Sequence, residues 1–325
     1  MERLSLPGDA VPVPTLHPKP PVHVGAPLDN PLAGILLAIS AGVVFAISDA
    51  TAKYLTPTLP SLEIVWLRWF GFLAIVTPII LFSRGSILRS RRPALQIGRS
   101  LCLILSSLLF ISGLAALPLA SATTLNFVSP MIVTALSIPL LGEQVGIRRW
   151  AAIAVGLLGV LIVVRPGSGS FDPAAIYPML SAASWAMAVI LTRKLAGIDR
   201  PWTAMCYAAL VGFAVLSVAV IPVFVMPSAT EIGLAAIVAA AATAGQYLTV
   251  LAFQRAPASL LAPFSYVQLI WSTALGYLVF SNLPDGWTWI GAAIIISSGI
   301  YTAHRERVRM REERERVARE AAASS

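Results

Sequence analysis

The feature that most constrains this chain is a stretch that occurs twice, at 119–144 and again at 257–282. In each copy an Ala-Ser pair opens an apolar run that carries one proline near its middle: Ala120-Ser121 with Pro130, and Ala258-Ser259 with Pro263. A second echo joins 40–53 to 181–194 at nearly the same separation. Two echoes with almost equal offsets predict that the protein is one half, duplicated.

Apolar runs long enough to cross a bilayer fill both halves. A spanning helix needs about 20 mostly apolar residues, and the chain is 57% hydrophobic and only 12% charged. An ordinary soluble domain is about 25% charged. We therefore predict an all-α polytopic membrane protein with ten transmembrane helices, at 33–54, 61–82, 99–118, 121–141, 149–166, 173–193, 202–225, 231–254, 258–280 and 286–303.

The net charge of +8 is sorted by side of the membrane. With the N-terminus placed inside, most Lys and Arg fall in inside loops and the last tail, and only Lys53 and Arg165 fall at outer ends. This is the distribution that the positive-inside rule describes. Both termini are therefore expected to be cytoplasmic, and the basic charge indicates topology rather than nucleic-acid binding. The N-terminus has no basic segment leading into an apolar one, so no cleavable signal peptide is expected.

The spans divide the chain into two halves and two tails. Residues 1–30 are rich in proline, poor in large apolar groups, and predicted to be a disordered cytoplasmic tail. The first half covers 33–166, the second covers 173–303, and a charged cytoplasmic tail covers 304–325. Because each half holds five spans, the second enters the membrane from the opposite face. Inverted repeats around a central cavity are a common construction of secondary transporters, which work by alternating access.

The spans, the first-copy ending Leu141-Gly142-Glu143 and the second-half segments 262–266 and 275–277 resemble the EamA-type branch of the drug/metabolite transporter superfamily. The resemblance covers about 33–303. It implies a ten-helix bundle with a cavity lined mainly by helices 1, 3, 4, 6, 8 and 9, and transport of a small organic metabolite across the bacterial inner membrane. The second copy departs from the first, because 280–282 reads Phe-Ser-Asn where 142–144 reads Gly-Glu-Gln. A role for Glu143 in the first half would therefore have no outer counterpart.

Three charged residues lie within the outer part of the first two spans: Asp49, Glu63 and Arg68. A charge at the bilayer centre costs roughly 2.5–3.5 kcal/mol on insertion scales, so it normally has a partner or a task. One interpretation is a structural ion pair in which Asp49 meets Arg68 between helices 1 and 2. The other is that Asp49 or Glu63 exchanges a proton during transport.

Polar and aromatic side chains also recur in the spans that should face the cavity. Amides and hydroxyls buried there need hydrogen-bond partners, which a ligand or water would supply. Aromatic faces beside amide groups suit a planar solute, such as an aromatic amino acid, a nucleobase or a riboflavin-like vitamin. Interhelical packing is the alternative for each residue alone. The candidate substrate-binding residues are Ser40, Asn126, Trp185, Gln246, Tyr247, Tyr266, Gln268 and Trp271, with Ser106 and Ser107 in helix 3.

The two mid-span prolines, Pro130 and Pro263, each remove a backbone hydrogen bond. We expect a kink at each, which is either a static bend or a hinge for the change of access.

Several classes of function are excluded by what the sequence lacks. No lysine follows a glycine, so there is no Walker A loop and no ATP-driven step is expected of this chain. The three histidines lie near the ends, and the two cysteines, Cys102 and Cys206, have no CxxC partner. We therefore predict that the protein is not an enzyme and that it binds no metal and no cofactor. Sparse polar groups also argue against an ion channel.

The prediction is a membrane-embedded carrier of a small molecule, with a proton as one candidate for the coupling ion. A receptor or assembly partner that kept the fold but does not transport is the alternative. The sequence leaves open the solute, the direction of transport and the oligomeric state, a homodimer included.

Overall fold

The structure is a computed structural model that describes residues 31–83, 85–141, 147–165, 172–195, 198–256, 261 and 264–324. Within these ranges the fold is helical, with no β-strand. The helices run α1 (Pro31–Leu55), α2 (Ser61–Phe82), α3 (Pro93–Ala116), α4 (Leu119–Asn126), α5 (Ser129–Leu141), α6 (Ile147–Val164), α7 (Ile176–Leu195), α8 (Pro201–Ala219), α9 (Ala229–Arg255), α10 (Val267–Phe280) and α11 (Gly286–Ser324). Short 3₁₀ turns lie at Ser86–Leu88, Pro173–Ala175 and Ile221–Val223.

Within the described residues, seven helical segments are long and apolar enough to cross a membrane, with α4 and α5 taken together as Leu119–Leu141. Shorter apolar helices cover Trp150–Val164 and Val267–Phe280. The prediction of an all-helical, multi-pass membrane protein is therefore confirmed. The count of ten spans and their inverted arrangement stay predictions.

Two predicted span ends are wrong by about two helical turns. The third span was expected from 99, but α3 starts at Pro93, because proline fits the first helical turn, where its missing N–H is not needed. The seventh was expected to reach 225, but α8 ends at Ala219 and the chain turns into Ile221–Val223. Pro222 lacks the N–H that would continue the α-helix.

The last span and the charged tail form one continuous helix. α11 runs for 39 residues, and within its polar part Arg311 Nε donates to Glu315 Oε1 at 3.2 Å. Pairs four residues apart support an exposed helix. The tail predicted at 304–325 therefore continues the preceding helix as far as Ser324.

Each helix of one half packs mainly against helices of the other half. The principal pairs are α1 with α9, α3 with α7, α2 with α8, and α6 with α11. The α6–α11 contact is close because Gly159 and Gly291 meet: a Cβ on Gly291 would lie 2.7 Å from the Gly159 carbonyl oxygen. Ser298 also donates to the Ala152 carbonyl across this interface. Small residues allow the backbones to approach where no hydrophobic effect drives association.

The fourth span is interrupted. α4 ends at Asn126, Phe127 and Val128 form a turn, and α5 begins at Ser129 with Pro130 as its second residue. Proline cannot donate a helical hydrogen bond and disfavours helical geometry just before it. The bend predicted at Pro130 is therefore a full break that precedes it. Pro263 lies outside the described residues.

Candidate functional site

A polar cluster within the membrane-spanning region joins three helices. Asp49 of α1 is buried, and its Oδ2 accepts a hydrogen bond of 3.0 Å from Gln268 Nε2 of α10. Arg68 of α2 interacts electrostatically with Asp49, although the two side chains form no direct ion pair. α1 and α10 can approach here because Gly42 has no side chain: a Cβ on it would lie 3.1 Å from the Gln268 backbone nitrogen. The structure thus brings one predicted binding residue, Gln268, to the predicted charged pair.

Glu63 lies elsewhere. It is wholly buried, and its Oε2 accepts a hydrogen bond of 3.0 Å from the Val225 backbone N–H, beyond the end of α8. Its Oε1 is buried without a hydrogen-bond partner among the described residues. Glu63 therefore links α2 to the segment after α8, in a contact separate from that between Asp49 and Gln268.

A second cluster lies at the break between α4 and α5. The ring of Tyr266 is 5.0 Å from that of Phe127, and its hydroxyl occupies the space that a Cβ on Gly299 would need. The Asn126 Oδ1 is buried, and no described group donates a hydrogen bond to it. Two predicted residues, Asn126 and Tyr266, therefore flank the break, and one of them carries an unused acceptor.

A cavity of about 250 Å³ opens between α2, α8 and α9. Its lining is mainly apolar and includes the half-exposed rings of Trp202 and Tyr247, whose centroids are 6.1 Å apart. Of the predicted residues, only Tyr247 lines this cavity. Trp202, which is not among the residues predicted from the sequence, is brought there by the start of α8. The remaining lining residues are Ile75, Val76, Ile79, Met205, Ala240, Thr243 and Ala244.

The other predicted residues do not line this cavity. Ser40, Trp185 and Trp271 have exposed side chains, and Gln246, beside Tyr247, is half-buried. Ser106 forms a buried hydrogen bond with Ser181 between α3 and α7. The packing interpretation therefore accounts for Ser106.

At one end of the bundle, polar contacts join the first half of the chain to the second. Asp199, in the α7–α8 connection, accepts hydrogen bonds from Ser90 Oγ, from the Arg91 backbone N–H and from Gln96 Nε2. Burial raises the pKa of the Asp199 carboxyl, but these hydrogen bonds outweigh burial and hold its pKa below its ordinary value. Arg99 reinforces the contact, since it donates to Thr192 and to the backbone carbonyl of residue 204. We call these contacts the Asp199 latch.

The opposite end has its own polar contacts. Lys53 Nζ donates to the Leu114 and Leu117 carbonyls, both at 2.7 Å, where the C-terminus of α3 leaves carbonyls without helical partners. Arg165 pairs with Asp285, which also accepts two hydrogen bonds from Thr288. Burial raises the pKa of Asp285, but the hydrogen bonds from Thr288 and the charge of Arg165 outweigh burial, so its pKa lies below its ordinary value.

No group of three or more His, Cys, Asp and Glu side chains in the described ranges is arranged to hold a metal ion.

Known proteins resemble the chain along most of its length. A transporter named for S-adenosylmethionine uptake, from Rickettsia prowazekii, is 27% identical over 279 residues, covering 86% of this chain and 95% of that protein. A riboflavin transporter from Rhizobium johnstonii is 30% identical over 291 residues, covering 87% and 94%. A pseudopaline exporter from Pseudomonas aeruginosa is 28% identical, covering 83% and 95%. One solved structure shares the fold with a TM-score of 0.60 at 21% identity, covering 85% of this chain and 98% of that one.

These relatives are named as transporters and not as enzymes, so the predictions of a small-molecule transporter and of no enzymatic activity are confirmed. The sequence pattern of the EamA-like transporter family matches the chain twice, over residues 32–165 and 172–302. The chain therefore belongs to the EamA-like transporter family.

Proposed function

We propose that the protein is a secondary carrier that moves a small organic metabolite by alternating access between two inverted halves. The observation that carries the proposal is the pairing of the helices. We count α4 and α5 as one span and replace each helix by the corresponding helix of the other half. The α1–α9 pair then becomes the α7–α3 pair. The same exchange returns α2–α8 and α6–α11 to themselves. A bundle with this internal symmetry has two near-equivalent packings, one open to each side.

Polar contacts between the halves at both ends of the bundle support this mechanism. The Asp199 latch joins the α2–α3 connection and α3 to the α7–α8 region, and therefore links the halves at one end. The Arg165–Asp285 pair links them at the other. Alternating access requires that one set of contacts opens while the other stays closed.

We place the Asp199 end in the cytoplasm of a bacterial cell, with the protein in the inner membrane. The connection that holds Ser90 also carries Arg89, Arg91 and Arg92, while the far ends carry Lys53 and Arg165. That asymmetry is typical of the cytoplasmic side. Both chain termini then lie in the cytoplasm.

The solute is proposed to bind between the polar cluster at Asp49 and the cavity at Tyr247. A planar body would stack on the ring of Trp202 or Tyr247. The relatives are named for S-adenosylmethionine, riboflavin and pseudopaline, which are three different organic metabolites. This variety fits a shared carrier mechanism with a binding site that differs from one protein to the next.

Coupling and hinge roles follow the same proposal. Asp49 and Glu63 are the candidates for proton exchange, since both are buried carboxylic acids within the membrane-spanning part. The break before Pro130 is the candidate hinge, because a turn inside a span can change angle without breaking a continuous helix.

The test begins with thermal unfolding of the purified full-length protein against a metabolite panel that includes S-adenosylmethionine and riboflavin. A ligand raises the unfolding temperature only if it prefers the folded state. Each solute that does so is then loaded into proteoliposomes, and its flux is measured without ATP. Saturable flux, accelerated by unlabelled solute on the far side, is expected. A solute that stabilises the protein but never crosses the membrane would favour the receptor alternative.

A further inference from the structure

Arg68 carries a positive charge inside the bundle, and none of the described residues forms a direct ion pair with it. Its side chain is half-buried in α2. It interacts electrostatically with Asp49, but no described group forms a hydrogen bond or a direct ion pair with it. Arg99, in contrast, donates both to a hydroxyl and to a carbonyl. A cation at this depth is costly unless something pairs with it, so the site is incomplete as it stands.

Polar groups beside the Asp49–Gln268 contact are also incompletely paired. Asp49 is 5% exposed and accepts from Gln268. Ser272, one turn after Gln268 on the same face of α10, is fully buried, and its hydroxyl has no hydrogen-bond partner among the described residues. Buried polar groups without partners are rare in native proteins, and each points to a missing water or ligand.

The apolar cavity lies along the same face of α2 as Arg68. Ile75 and Ile79, which line it, follow Arg68 by seven and eleven residues, a spacing that keeps all three on one side of a helix. At 1.5 Å per residue, Arg68 and Ile75 are about 10 Å apart along the helix axis. A solute of metabolite size can therefore reach the charged groups with one end and the cavity with the other.

We propose that Arg68, Asp49 and Gln268 bind the charged end of a zwitterionic solute, of the kind that an α-amino acid carries, while the cavity at Trp202 and Tyr247 holds its apolar or planar body. The carboxylate of the solute pairs with Arg68, and its ammonium group pairs with Asp49, which Gln268 holds in position. The cation and anion of the protein lie near each other without pairing, which is the arrangement that a solute with adjacent opposite charges completes. This inference rests on the proposed carrier function and names the solute class.

The experiment measures thermal unfolding of the full-length protein with matched probes. The zwitterions are L-tryptophan, L-phenylalanine and S-adenosylmethionine. The methyl esters of the two amino acids lack the negative charge, and their N-acetyl derivatives lack the positive charge. Riboflavin is the planar probe without either headgroup charge. At least one zwitterion should raise the unfolding temperature, and removing either charge should abolish the shift.

Two arginine variants make the matched comparison. Arg68→Gln should weaken the apparent Kd of the active zwitterion by about tenfold or more, since a hydrogen-bonded charge pair is lost. Arg311→Gln removes an arginine that the structure pairs with Glu315 in the charged part of α11, away from both the latch and the cavity, and should leave the Kd unchanged. Arg68→Lys keeps the charge without the forked geometry, so it should bind with intermediate affinity, and it replaces the Gln variant if that one does not fold.

The outcomes separate this inference from the carrier function. The inference is overturned if no zwitterion shifts the unfolding temperature, if a single-charge derivative works as well, or if both arginine variants lose binding alike. If no zwitterion binds, but riboflavin binds and crosses proteoliposomes equally in wild type and Arg68→Gln, the carrier function stands and the headgroup site falls. If a zwitterion binds as expected but never crosses, the site stands and the carrier function falls.

Discussion

Replacing Asp199 by Ala should open the end of the bundle that the Asp199 latch closes. The carboxylate accepts from Ser90 Oγ, from the Arg91 N–H at 3.0 Å and from Gln96 Nε2 at 2.9 Å. A hydrogen bond to a charged group contributes roughly 1.5–3 kcal/mol when buried. Asp199 is half-buried, so we reduce each to about 0.5–1 kcal/mol for solvent screening. The loss is then about 2 kcal/mol, or about 30-fold in the equilibrium between closed and open.

The assay uses a cysteine that the chain already contains. Cys206 is wholly buried on α8, five residues after its start, where it contacts Val76 and Ala209. With Cys102 replaced by Ala, alkylation of Cys206 by a maleimide reports how often this end opens. The Asp199→Ala variant should be labelled up to about 30-fold faster than its parent.

The matched control is Asp172→Ala. Asp172 precedes the opposite end of α7, and the contact that the structure gives its carboxylate is local, an accepted hydrogen bond of 2.8 Å from the Ala174 N–H. Its loss should cost about 1 kcal/mol as a helix cap without changing the labelling of Cys206. Equal labelling of both variants and the parent would refute the latch.

The pKa of Asp199 sets the pH range of this effect. Its folded-state pKa lies below the ordinary 3.8, so the latch is fully present above that value and is lost as pH falls below it through the lowered pKa. The ratio of the Asp199→Ala labelling rate to the parent rate should therefore stay constant between about pH 5.5 and pH 7.5. A ratio that falls toward one across this range would contradict the assignment.

Three further predictions concern stability and coupling. Gly291→Ala should reduce the free energy of unfolding by about 1–3 kcal/mol, because a Cβ would lie 2.7 Å from the Gly159 carbonyl oxygen. The control Gly286→Ala should be neutral, because a Cβ there has nothing within 4 Å. Thermal unfolding in detergent measures both variants, and equal values would contradict the packing. Lys53→Met should cost about 1–3 kcal/mol by the same measurement, because two carbonyls at the end of α3 lose their donor; an unchanged unfolding temperature would show that water replaces it. Asp49→Asn should remove the pH dependence of solute flux in proteoliposomes, and an unaltered dependence would exclude Asp49 as the coupling site.

The polar residues of the candidate site could be picked from the sequence, but their grouping could not. Asp49 and Gln268 are separated by 219 residues, and their contact depends on how α1 and α10 are rotated about their axes. Trp202 was missed because a tryptophan at the start of a span reads as an interfacial anchor. Its role in the cavity depends on Tyr247, which arrives from another helix.

The contacts of the Asp199 latch could not be predicted from the sequence for a related reason. Ser90 and Asp199 lie in connections between helices, 109 residues apart, and each is an ordinary loop residue when read alone. Arg99 was counted only as a positive charge on the inner side, whereas the structure shows it buried and donating to two helices. A sequence gives the charge of such a residue but not the groups that it meets.

By itself the sequence determined that the chain belongs to its family, that it is helical and that it crosses a membrane several times. The helical spans are predictable because in a bilayer every backbone N–H and C=O must be satisfied within its own helix. That requirement is local, so an apolar run of sufficient length is enough to predict a spanning helix. Only the tertiary structure decided which polar side chains meet and where the cavity opens, since helix rotation, close approach at glycines such as Gly42 and Gly291, and the break before Pro130 are set by contacts between distant segments.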